Sequence, residues 1–143
     1  MIEVAEGSIG RIFFHRIRGG EDLTEAIKER VEKSGVKAGL LFVIGSLEEA
    51  TLGYYRAGEY KTVHITGPLE IVSCVGNIAV DEEGETVIHA HLVVSNEKGE
   101  AFGGHLMPGS AVGATAELAV VEALNVNLKR VFDGATKLKL LNL

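Results

Sequence analysis

The sequence predicts an α+β fold: an antiparallel β-sheet with one main helix packed on it, over residues 1–143 as a single domain. Two observations predict it. One segment near the start carries a full set of helix signals, and nearly everything after it is short, apolar and β-branched between glycine turns. Chain length supports a single core, because 143 residues split in two would leave two poorly buried halves.

Arg11 to Arg18 reads Arg-Ile-Phe-Phe-His-Arg-Ile-Arg, a strand by its β-branched and aromatic content, ended by Gly19-Gly20. Asp22 then has the character of an N-cap, with Glu25 three residues on as in a capping box. Leu23, Ala26, Ile27 and Val31 recur at helical spacing, and Ser34-Gly35 supplies a C-terminal stop. Leu40 to Ile44 is an apolar run of strand length ended by Gly45-Ser46. Ala50–Tyr55, Tyr60–Ile65 and Leu69–Val80 are further strands, the last with a bulge expected at Gly76. Asp81-Glu82-Glu83-Gly84 is a hairpin loop between that strand and Val87–Ser95, and Glu100–Met107 follows. Ala111 to Leu124 is ambiguous: its alanines suit a helix, and its alternation of Val112, Ala114, Ala116, Leu118 and Val120 suits a strand. Lys129–Phe132 and Lys137–Leu141 close the chain as short strands.

Composition narrows the function. An apolar share of 46% excludes bulk disorder, and the single cysteine, Cys74, cannot make an internal disulfide. The net charge of −6 repels phosphate backbones, so DNA as a partner is unsupported by charge. No run approaches the ~20 apolar residues of a membrane helix, and the first residues lack the pattern of a signal peptide. The expected location is therefore the cytoplasm, with no membrane partner.

Chemistry concentrates in His89-Ala90-His91 and Gly103-Gly104-His105. On a strand, residues two apart share a face about 6.7 Å apart, so two imidazoles can converge on one ion. The connection Asn96-Glu97-Lys98-Gly99 fits a three-residue hairpin loop with a left-handed glycine. That loop pairs Asn96 with Glu100, and counting back along the ladder sets His91 opposite His105. A two-residue turn would send His105 to the other face, and a bulge at Gly103-Gly104 would upset the count. With the first register, His89, His91 and His105 form a triangle of neutral ligands with an open fourth position, a zinc-type site. Glu117 is a candidate fourth ligand or base. His15 and His64 read as solvated or structurally satisfied, Cys74 as an inert buried thiol, and Tyr54-Tyr55 as core or interface packing.

Taken as a set, these pieces resemble a known family, the plants and prokaryotes conserved domain, PPC or PCC. The resemblance is carried by Gly20-Glu21-Asp22-Leu23, Ile44-Gly45-Ser46, Gly67-Pro68-Leu69-Glu70-Ile71, Gly76-Asn77-Ile78, His89-Ala90-His91, Gly103-Gly104-His105-Leu106 and Glu117. They run in the family's order over nearly the whole chain. The resemblance implies a compact α+β fold, a strand for Ala111–Val121, a homotrimer, and metal ligation, with zinc the expected ion, at positions matching His89, His91 and His105. Plant relatives join the domain to AT-hooks that enter the minor groove, and prokaryotic members are described as DNA-binding by that association. This chain has no Arg-Gly-Arg flanked by prolines. The expectation is a stand-alone homotrimeric PPC-domain protein, a metal-binding regulatory or interaction module with a DNA-related role through partners. The alternative is a small zinc-dependent enzyme, a hydrolase or lyase, using the three-histidine site.

Overall fold

The computed structural model describes residues 2–143. Its elements are β1 (Ser8–Arg18), α1 (Leu23–Ser34), β2 (Gly39–Arg56), β3 (Glu59–Val80), β4 (Thr86–Ser95), β5 (Ala101–Leu106), β6 (Val112–Leu124), β7 (Lys129–Asp133) and β8 (Leu138–Asn142). Strands hold 65% of the residues and helix 8%, and the sheet closes into a β-barrel. This corrects the expected α+β class: the architecture is all but wholly β, and no helical layer covers an open sheet.

Barrel closure follows from the length of β2. Its first half pairs with β6 on one edge (Leu41↔Val120, Val43↔Leu118), and its far half meets β5 on that edge (Leu52↔Leu106, Gly53↔His105). Along the other edge it pairs with β3 from Gly39↔Ile78 to Arg56↔Glu59. Strands β3, β4 and β5 complete the ring back to β2. Closure removes the free edges that an open sheet would expose. β1 extends the sheet beyond β6, and the β7–β8 hairpin attaches at the end of β3 through Val80↔Lys129.

The helix forms for the reasons its sequence indicates. Asp22 Oδ1 accepts from the Glu25 backbone N–H at 3.1 Å, and Gly35, at φ 73°, donates back to Glu32 O at 3.1 Å. Leu23, Ala26, Ile27 and Val31 are buried in the same cluster as Leu41, Val43, Leu92 and Leu118. Four side chains from a 12-residue helix contribute to the core, and the barrel strands supply most of the rest. No described helix is long and apolar enough to cross a membrane.

Two expected strand ends prove to be bulges. Gly45, at φ 144°, absorbs a register shift and β2 runs on, so Leu40–Ile44 and Ala50–Tyr55 are one strand. Tyr60–Ile65 and Leu69–Val80 likewise merge into β3. The β3 bulge against β4 falls between Ile71 and Ser73, not at Gly76, whose register with Ala90 is continuous. The Leu40–Ile44 run is buried only at Leu41 and Val43; Leu40, Phe42 and Ile44 face outward at 45–59% exposure. Ala111–Leu124 resolves as strand β6 from Val112, with Val112, Ala116, Leu118 and Val120 buried and Ala114 exposed.

Candidate metal centre

The β4–β5 turn sets the site. Asn96 N–H donates to Glu100 O at 3.1 Å, and Gly99, at φ 74°, donates to Asn96 O at 2.9 Å. Asn96 Oδ1 also accepts from the Lys98 and Glu100 backbone N–H groups at 3.0 Å each, an Asx arrangement that locks the three-residue loop. The ladder then runs from Ser95↔Ala101 to His91↔His105 without a register shift at Gly103-Gly104. On the other side of β4, β3 places Asn77 opposite His89 and Val75 opposite His91.

Cross-strand partners share a face, so the three histidines converge. Ring centroids lie 5.2 Å apart for His89–His91, 5.1 Å for His89–His105 and 5.7 Å for His91–His105. One ligating atom from each ring lies within 4.8 Å of the other two. His91 is exposed, while His89 and His105 are half-buried. Gly76 permits this packing: a Cβ there would overlap the His89 carbonyl oxygen and come within 2.7 Å of Ala90 Cα.

The electrostatics of the site disfavour the charged forms of His89 and His105. Burial first, then His89, His91 and Arg130, push His105 down to about 4. Burial first, then Arg130 and His91, also lower His89. Neutral rings are the form that ligates metal, so the donor set fits a zinc-type ion.

Further residues join the site that sequence reasoning missed. Arg130, from β7, is buried at 7% exposure and donates from Nη2 to Asn77 Oδ1 (2.8 Å) and His89 Nδ1 (3.1 Å). Tyr60 packs its ring 4.8 Å from that of His105, with Oη 3.5 Å from Nδ1. A cavity of about 210 Å³ opens beside His89 and His105, walled by the β7–β8 hairpin at Arg130, Leu138 and Leu140. No motif signals Arg130 in the sequence, because only folding of the hairpin brings position 130 to position 89.

The remaining candidates fall elsewhere. Glu117 is exposed on β6 between Arg16 and Ile44, outside the histidine group. His15 Nε2 meets Ser34 Oγ at 3.2 Å, and His64 meets Thr51 Oγ1 at 3.2 Å and Glu49 at 3.3 Å. Burial pushes the Cys74 thiol up to about 12, so it is not a nucleophile. Tyr54 and Tyr55 are over 40% exposed rather than core.

Similar structures cover the whole chain. A metal-containing protein from Archaeoglobus fulgidus matches with TM-score 0.88 and 32% identity, over 99% of this chain and 100% of that one. A plant- and prokaryote-conserved (PPC) protein from Pyrococcus horikoshii matches at 0.89 and 30%, over 99% and 98%. A protein from Ralstonia eutropha JMP134, whose name proposes DNA binding, matches at 0.79 and 25%, over 91% and 90%. Bifunctional protein GlmU of Synechococcus sp. (strain JA-3-3Ab) is 31% identical over 127 residues, 88% of this chain. The chain spans only 19% of the length of that relative. The family model of the Plants and Prokaryotes Conserved domain matches residues 4–124, which takes in all three histidines. With that span matched, the chain belongs to the Plants and Prokaryotes Conserved (PCC) domain family.

Proposed function

We propose that this chain is a homotrimeric metal-binding PCC-domain module that holds zinc on His89, His91 and His105 and serves a regulatory or interaction role. The carrying observation is the convergence of three imidazole donors within 4.8 Å. Neutral imidazoles suit zinc among the available divalent ions, and a metal-containing relative of the same fold supports the reading. The trimer is supported by the apolar outer face at Phe14, Phe42 and Ile44, which one subunit leaves in water. Its stoichiometry of three follows the family resemblance. The match to one fifth of a longer bifunctional protein supports a domain that assembles with others.

Direct DNA contact gains nothing from the charge distribution. The net charge is −6, and Arg11 and Arg30 are already engaged with Glu122 and Glu21. A second reading, a small zinc-dependent hydrolase or lyase, is favoured by the cavity beside His89 and His105. There a bound zinc would supply a water of pKa near ~7.

Metal analysis of untagged protein, repeated for His89→Ala and His105→Ala, tests the site. Wild type is expected to carry zinc and both variants to lose it; equal zinc in all three overturns the proposal. Light scattering is expected to give three times the 15.2 kDa subunit mass, and a 15.2 kDa species removes the trimer.

A further inference from the structure

Among the described residues Arg130 has no counter-charge. Its Nη1 donates to Lys139 O and its Nη2 to Asn77 Oδ1 and His89 Nδ1, all neutral acceptors, and Nε has no hydrogen-bond partner. Among the described residues it makes no ion pair with a carboxylate, although it is more than nine-tenths buried. Buried guanidinium groups ordinarily face an anion. Beside it stand three histidines that bring no negative charge. A divalent ion there would raise the local formal charge of ion and guanidinium together to +3.

The His89 bond adds a constraint. A guanidinium only donates, so Nδ1 of a neutral His89 holds the ring's lone pair and Nε2 its proton. A metal that takes this lone pair displaces the Arg130 N–H. That donor then needs another acceptor. The cavity of about 210 Å³ lies against Arg130, His89 and His105, and its other walls include the apolar Ile88, Leu138 and Leu140. An acceptor suited to it has an anionic head for Arg130 and the metal and a short apolar body for the leucines.

We infer that the three-histidine site takes a small carboxylate together with its metal, with Arg130 as the carboxylate's counter-ion and Ile88, Leu138 and Leu140 around its body. This rests on the zinc reading above. Arg130 lies in the C-terminal hairpin, beyond the stretch matched to the family, which ends at residue 124. The carboxylate draws Arg130 from His89 and frees the lone pair, so metal and carboxylate bind cooperatively.

The test is calorimetric titration of isobutyrate into zinc-loaded and metal-free wild-type protein, with zinc affinity read separately by a chromophoric chelator. Isobutyrate is expected to bind the zinc-loaded protein about tenfold or more tightly than the metal-free form, an ordinary coupling between ligands. In Arg130→Met, checked for fold by circular dichroism, zinc alone is expected to bind more tightly and isobutyrate not at all. Zinc binding without an isobutyrate response in wild type overturns this inference and leaves the zinc reading standing. No zinc binding overturns both. Equal isobutyrate affinity in Arg130→Met removes Arg130 from the role, and inorganic phosphate bound more tightly than isobutyrate overturns the carboxylate assignment.

Discussion

A single missing Cβ decides how close β3 and β4 come at the histidines. At Gly76 the added methyl of alanine would overlap the His89 carbonyl oxygen and crowd Ala90 Cα at 2.7 Å. Both are backbone atoms in a paired strand, so neither can rotate away. Gly76→Ala is therefore expected to cost about 1–3 kcal/mol, in the range of overpacking changes. It should also weaken zinc binding by shifting His89 relative to His91 and His105. Urea denaturation and zinc titration of the variant check this; an unchanged midpoint together with unchanged affinity contradicts it. Arg130 is the converse case, a large side chain whose role comes from its neutral neighbours rather than from its own strand.

Asp81 ties the β3–β4 turn to the hairpin that wraps the cavity. Asp81 Oδ1 accepts from the Glu83 and Glu85 backbone N–H groups at 3.0 Å each, which closes the β3–β4 turn. Its Oδ2 pairs with Lys139 Nζ at 2.8 Å, tying that turn to β8. The Lys139 hydrogen bond first, with the turn N–H groups, holds Asp81 down to about 2. The unfolded chain, near its ordinary 3.8, binds protons at higher pH than the folded one. The stabilisation is complete above that ordinary value and is lost as pH falls through the folded one. Glu122, held down to about 2 by Arg11, adds in the same direction from its ordinary 4.5. Melting temperature is thus expected to fall steeply between about pH 4.5 and 2, and less steeply in Asp81→Asn. Equal slopes in wild type and variant, read by circular dichroism, argue against this role for the Asp81–Lys139 tie.

Across the whole molecule, the outer face is laid out in lateral rows. Phe14, Ala119, Phe42, Val75, His91 and His105 are successive partners from β1 to β5. The exposed apolar patch and the histidine site therefore belong to one continuous surface, with Phe14 83% and Phe42 45% exposed. Covering that patch with other copies would remove several large apolar side chains from water. If the proposed trimer forms through this patch, Phe42→Glu, a charge in its centre, is expected to yield folded monomers by light scattering and circular dichroism. A variant that stays trimeric places the subunit contact on another face.

Much of this was legible in the chain, and the part that was not has a common cause. The capped helix, the Asn96–Gly99 loop and the meeting of His91 with His105 rest on side chains and backbone groups a few residues apart, where local chemistry decides the outcome. The expected helix-on-sheet class failed because closure depends on contacts between segments distant in sequence. The β2–β5 pairing is two residues long, and its partners are more than fifty positions apart. Leu40–Ile44 is apolar throughout, so its composition cannot say which alternate side chains face the core. The sequence by itself determined the helix caps, the Asn96–Gly99 turn and, through that turn, the register that sets His91 opposite His105. Only the tertiary structure decided that the sheet closes, which face stays in water, and that Arg130 is buried among neutral partners. Those outcomes depend on long-range packing and desolvation, which no short stretch of residues encodes.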